Sequence, residues 1–93
     1  MMRSVSLNVL QKGPGIKLAQ NMKLLRESNG LTQKKVAQYL FVDRSTYSYY
    51  ESGKTQPNLK MLIRLADLYG VSIDALIGYL PRNSKQSAHI MNA

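Results

Sequence analysis

From Ile16 onward the apolar positions of the chain fall at helical spacing. Leu18, Met22 and Leu25 recur at intervals of four and three, while Lys17, Gln20, Asn21, Lys23 and Glu27 lie elsewhere. The pattern stops at Ser28-Asn29-Gly30, where glycine can take the left-handed conformation that closes a helix. Thr32 is a good N-cap for a second helix, QKKVAQYL, with Val36, Ala37 and Leu40 inward. Asp43 is placed to cap a third, from Arg44 to about Ser52, and Gly53 stops it. Pro57 and Asn58 open a fourth, LKMLIRLADLY, with Leu59, Leu62, Leu65, Ala66 and Tyr69 inward and Gly70 at its end. Ser72 caps a short fifth helix, IDALIGYL, which Pro81 closes. No stretch alternates as a strand does, and no internal repeat occurs. The expectation is an all-α fold of five short helices around one core. Residues 1–15 end in the breaker KGPG and read as a flexible N-terminal arm. Residues 16–80 then form the domain, and the polar residues 81–93 a flexible C-terminal tail.

The third helix has two contrasting faces. Tyr47 and Tyr50 are three apart and share a side with Thr46, so they should cover Val36, Ala37 and Leu40, with Val42 of the turn completing that core. Arg44, Ser45, Ser48, Tyr49 and Ser52 follow spacings of one, three, one and three, which makes the opposite stripe. That stripe has no large aliphatic residue, as a surface made for close approach by a polar partner requires. Only Phe41, Val42 and Asp43 join the second and third helices. Two helices so joined match a helix-turn-helix, whose second helix enters the major groove of DNA. Ala37 fits this arrangement, since a small side chain lets the helices cross closely.

Charge sharpens the choice of partner. Thirteen Lys and Arg against five Asp and Glu give a formal charge of +8, which favours a polyanion: nucleic acid first, an anionic membrane surface second. Ninety-three residues suit one domain with a modest core. The chain has no cysteine, so it can build neither a disulfide framework nor a cysteine-rich zinc site. Its single histidine, His89, falls in the expected tail. There is no paired-carboxylate cluster, and Gly13-Pro14-Gly15 lacks the Lys-Ser or Lys-Thr of a phosphate loop. An enzyme, a metal and a cofactor are therefore not expected. No apolar run approaches the roughly 20 residues of a membrane span. The start also lacks the continuous apolar centre of a secretory signal, so a cytoplasmic protein with no membrane partner is expected.

The segment LRESNGLTQKKVAQYLFVDRSTYSYYESGKTQPNLKMLIRLADLYGVSIDALIG resembles the phage repressor and Cro-type helix-turn-helix family, often called the Xre family. The resemblance runs from about Ile16 to Gly78. It rests jointly on Arg26, Gln33, Ala37, the RSTYSYYESGKTQP segment and the LADLYGVSIDALIG ending. Phe41 departs from it, standing where the family usually has glycine. The resemblance implies a compact five-helix lambda-repressor-like domain with the helix-turn-helix at helices two and three. It further implies a bacterial or phage transcriptional regulator, a repressor by expectation, that binds double-stranded DNA as a homodimer on a two-fold operator. The alternative is an antitoxin or other protein-interaction module of the same fold, with a toxin or antirepressor as partner.

Site residues follow from the resemblance and from position together. The family pairs an arginine at the position of Arg26 with a glutamate at that of Glu51; the sequence itself shows only two opposite charges in apolar neighbourhoods. Thr32 and Gln33 begin the second helix, where free N–H groups favour a phosphate. Lys34 and Lys35 either add phosphate attraction or form a solvated face. Arg44 and Ser45 begin the third helix and should meet base edges, arginine being suited to guanine O6 and N7. Ser48 and Tyr49 lie one turn later. The Tyr49 ring either touches a thymine methyl or a phosphate, or packs in a dimer. Lys54 and Thr55 are placed for the phosphate backbone. Ile77, Tyr79 and Leu80 either form a dimer patch or close the core.

Overall fold

The computed structural model describes residues 10–81. Five helices follow one another among them: α1 (Leu18–Ser28), α2 (Gln33–Leu40), α3 (Arg44–Ser52), α4 (Leu59–Tyr69) and α5 (Ile73–Ile77). Three of the starts are fixed by side chains. Thr32 Oγ1 accepts the Lys35 amide at 3.1 Å, Asn58 Oδ1 that of Met61 at 2.9 Å, and Ser72 Oγ that of Ala75 at 3.0 Å. Each such cap satisfies an amide left free by the first turn and contributes about 1 kcal/mol. Asp43 occupies the cap position of α3, but its carboxylate accepts no backbone N–H. The expected cap is positional only. The side chain is exposed.

The inward faces meet in one core. Met22, Leu25, Leu40, Tyr47, Leu65, Tyr69 and Leu76 have no exposed surface, and Val36 and Ala37 almost none. Tyr50 and Val42 pack against this core half-buried, and the Tyr47 and Tyr50 rings meet edge to face with centroids 6.2 Å apart. Leu59 corrects the expected inward face of the fourth helix, being 65% exposed. It is the first residue of α4, and the buried residue at this end is Pro57.

The expected domain boundary at residue 16 is also corrected. Leu10 is buried in the core, and the backbone after it is bound to the domain. Gln11 N–H donates to Asn21 Oδ1 at 2.7 Å, and Asn21 Nδ2 donates back to the Gln11 carbonyl at 3.1 Å. The same Nδ2 reaches the Leu76 carbonyl at 3.0 Å, so one buried amide ties the N-terminal segment and α5 to α1. Gly13 forms a parallel bridge with Tyr79: Gly13 N–H donates to the Gly78 carbonyl at 3.1 Å, and Leu80 N–H to the Gly13 carbonyl at 2.7 Å. The fifth helix is accordingly shorter than expected. Gly78 turns left-handed at φ 68, and Tyr79 and Leu80 leave the helix to run beside Gly13. Of the arm expected at residues 1–15 and the tail expected at 81–93, residues 1–9 and 82–93 lie outside the described residues.

Gly78 also has no room for a side chain. A Cβ there would collide with the Gln11 carbonyl oxygen and come within 2.9 Å of Asn21 Nδ2, whereas a Cβ on Gly30 would meet nothing within 4 Å. Both glycines have φ near +67. An alanine at either should incur the left-handed penalty of about 1–2 kcal/mol. Only Gly78→Ala adds the collision, so chemical denaturation should show it clearly less stable than Gly30→Ala. Equal losses would mean that Gln11 is not held against Gly78.

Candidate nucleic-acid interface

The residues joining α2 to α3 set the angle at which α3 is presented. Phe41 ends α2 in the left-handed conformation, φ 60, and is the one non-glycine residue with positive φ among those described. The turn therefore keeps a geometry that glycine adopts freely, with a side chain that resists it by about 1–2 kcal/mol. Phe41 is 84% exposed, and the Arg64 guanidinium carbon of α4 lies 5.2 Å from its ring centroid. The same guanidinium lies 5.1 Å from the Tyr39 ring and donates from Nη2 to the Tyr39 carbonyl at 2.8 Å. Cation–aromatic contacts of this kind contribute about 0.5–1 kcal/mol each and offset part of the strain.

On α3 the two faces separate as the spacing requires. Tyr47 is fully buried; Arg44, Ser45 and Tyr49 are exposed and Ser48 is half-buried. Ser52 turns its hydroxyl back onto its own helix, donating to the Tyr49 carbonyl at 3.1 Å. Lys54 places its ammonium 4.8 Å from the Tyr49 ring centroid, so these two residues form one cationic-aromatic unit beyond Ser48. Thr55 is exposed beside them, and Lys34 and Lys35 are exposed on α2. The Thr32 hydroxyl oxygen accepts the α2 cap bond, which leaves its O–H as a donor.

A buried ion pair stands behind this surface. Arg26 Nε donates to Glu51 Oε2 at 2.6 Å and Nη2 to Oε1 at 3.1 Å, while Nη1 donates to the Leu31 carbonyl at 3.0 Å. Their side chains are 13% and 5% exposed. Gln33 Nε2 also donates to Glu51 Oε1, at 3.1 Å. Burial pushes the Glu51 carboxyl up, but hydrogen bonds from Arg26 and Gln33, with the Tyr47 phenol nearby, outweigh it and hold the group below the usual carboxylate range. The Arg26 guanidinium is held above its ordinary value, its hydrogen bond to Glu51 overcoming burial. Burial, assisted by the Glu51 charge, pushes the Tyr47 and Tyr69 phenols far up, so both stay neutral. Neither hydroxyl has a partner at good hydrogen-bond geometry.

Sequence reasoning missed one residue of this surface. Lys23 of α1 lines, with Gln33, Ser48 and Ser52, a cleft of about 390 Å³ between α1 and the helix-turn-helix. The sequence left Lys23 among the polar positions of the first helix. Its place three residues before Arg26 was the available signal, because that spacing puts it on the side facing α3. Ile77 is half-buried and gives its carbonyl to the Lys17 amide at 2.7 Å, whereas Tyr79 and Leu80 are 55% and 57% exposed. No helix among the described residues is long and apolar enough to cross a membrane.

A tight helix pair with a buried inner face and a polar outward α3 defines a helix-turn-helix protein. The chain belongs to that family: the model described as "Helix-turn-helix" matches residues 22–76. It is 40% identical over 58 residues to the SPbeta prophage-derived HTH-type transcriptional regulator YonR of Bacillus subtilis (strain 168), covering 62% of this chain and 54% of that protein. It is 30% identical over 63 residues to the cryptic phage CTXphi transcriptional repressor RstR of Vibrio cholerae serotype O1 (strain ATCC 39315 / El Tor Inaba N16961), covering 68% and 56%. The chain thus spans a little over half the length of these relatives. Among solved structures, a transcriptional regulator from Listeria innocua superposes with a TM-score of 0.70 at 32% identity, over 84% of this chain and 76% of that one. This is a family of regulators and not of enzymes.

The ion pair makes the fold sensitive to acid. Glu51 titrates below its ordinary 4.5 in the folded chain. Its contribution is therefore present above that pH and disappears as the pH falls through the lower folded value. Glu51→Gln leaves the buried Arg26 charge with only the exposed Glu27 carboxylate, 3.9 Å away, as counter-ion, which should lower stability by roughly 3 kcal/mol at neutral pH. In thermal melts followed by circular dichroism, the gap between variant and parent should narrow as the pH is taken below 4.5. A gap independent of pH would show that the Glu51 charge stabilises nothing.

Proposed function

We propose that the chain is a sequence-specific DNA-binding transcriptional regulator that inserts α3 into the major groove and represses transcription from the cytoplasm. The observation that carries this reading is the outward stripe of α3. Arg44, Ser45, Ser48 and Tyr49 present hydrogen-bonding and aromatic groups with no large aliphatic side chain, on a helix anchored from behind by Tyr47. In this reading Arg44 contacts guanine, with Ser45, Ser48 and Tyr49 beside it. Thr32, Gln33, Lys34, Lys54 and Thr55 hold phosphates, and the formal charge of +8 supplies the long-range attraction. Repression is the direction in the name of RstR, whereas BcrR of Enterococcus faecalis, 36% identical over 58 residues, is an activator by name. A homodimer on a two-fold operator would set two copies of α3 about 34 Å apart, in successive major grooves.

Two substitutions separate reading from holding. Arg44→Ala should cost about 1–3 kcal/mol on the cognate operator, obtained by selection from a random DNA pool, and relax preference at one position per half-site. Lys54→Ala should weaken cognate and random DNA by similar factors. It should also make the slope of log affinity against log salt shallower by about 1 per subunit, since one fewer counterion is released. If Arg44→Ala weakens all sequences equally while Lys54→Ala alters base preference, the two roles are exchanged. If neither changes DNA binding, the stripe faces a protein, and the antitoxin-like reading replaces this one.

A further inference from the structure

The Arg26–Glu51 pair does more than join α1 to α3, because a third residue is bound to it. Glu51 Oε1 takes Gln33 Nε2 at 3.1 Å as well as Arg26 Nη2 at 3.1 Å, and Gln33 is the first residue of α2. We propose that Glu51 is a positioning residue for DNA binding: through Oε1 it fixes which end of the Gln33 amide is offered to a phosphate. This rests on the reading of Gln33 as a phosphate contact.

The chemistry allows one orientation only. An ionised carboxylate accepts hydrogen bonds and cannot donate them, so the amide nitrogen of Gln33, and not its oxygen, must face Glu51. One of the two Nε2 hydrogens is thereby used. The other is left as a donor at the cleft that Gln33 shares with Lys23 and Ser48. Glu51 cannot swing away, because Arg26 grips both of its oxygens and is itself held by the Leu31 carbonyl. A glutamine without this partner would have to fix its freely rotating side chain on binding, and would offer oxygen as readily as nitrogen. Its contact would weaken accordingly.

The test compares the effect of Gln33→Ala in two backgrounds. One is the parent; the other is Arg26→Met with Glu51→Leu, in which both charges are replaced by apolar groups of similar size. Such paired replacement tends to preserve stability, whereas removing one partner does not. Circular dichroism melts verify that each protein is folded at the assay temperature. Affinity is measured for a mixed-sequence DNA duplex at low salt, which suffices because phosphate contacts do not depend on sequence. In the parent, Gln33→Ala should weaken binding by about tenfold, as expected for a hydrogen bond to a charged group. In the apolar background it should weaken binding less than about twofold, the interaction term being carried by the lost orienter. Equal effects in the two backgrounds overturn the proposal and leave the ion pair a purely structural element. No effect of Gln33→Ala in the parent also overturns it, while Lys54→Ala still weakening the complex keeps the DNA reading intact. Failure of the parent to bind the duplex at all overturns both.

Discussion

The Arg26–Glu51 ion pair is the point through which the first three helices constrain one another. Arg26 lies on α1, Glu51 near the end of α3, the Leu31 carbonyl in the link before α2, and Gln33 at the start of α2. A buried pair of this kind is a poor source of net stability, because desolvating two charges offsets much of their attraction. What it supplies is direction. Two oxygens of one carboxylate meet donors from two helices, and that geometry is met at one rotation of α3 only. The rotation that satisfies it also puts Tyr47 inward and Arg44 outward.

That direction matters because α3 has little of its own. It is nine residues long, with three serines, a threonine and three tyrosines, and an isolated helix of that length and composition is marginal in water. Its shape is imposed by packing on α1 and α2. The Tyr47 ring supplies bulk without aliphatic residues on the other face, and the left-handed Phe41 sets the corner from which the helix departs. A surface of small polar groups can therefore be displayed rigidly, although the residues that form it contribute almost nothing to the core.

Much of this was legible in the sequence, for reasons that differ from residue to residue. The apolar spacings of Leu18, Met22, Leu25 and of Val36, Ala37, Leu40 gave the buried faces, since helical periodicity is a local property. Thr32, Asn58 and Ser72 marked helix starts, because a cap is satisfied within three residues. Contacts between distant residues were not legible. Asn21 looks like any polar residue off the apolar stripe, yet it is fully buried against Gln11 and Leu76, ten and 55 residues away. Leu59 has inward spacing but lies at a helix end, where the packing layer has already closed. At the site, the stripe of α3 followed from spacing alone. The bond from Gln33 to Glu51 and the approach of Lys23 to that cleft depend on how three helices cross, which no periodicity encodes.

The pairing of Gly13 with Tyr79 has a mechanical consequence. The described chain enters and leaves the domain side by side, on the α1–α5 side, along two segments that run parallel. Tension applied at the two ends would draw those segments past each other lengthwise. It would not peel them apart. In that shear geometry the Gly13–Gly78 and Leu80–Gly13 bonds and the Asn21 grip on Gln11 carry the load together and must yield together. A force on the chain is thus taken up at this seam before it reaches the ion pair and the turn that aim α3.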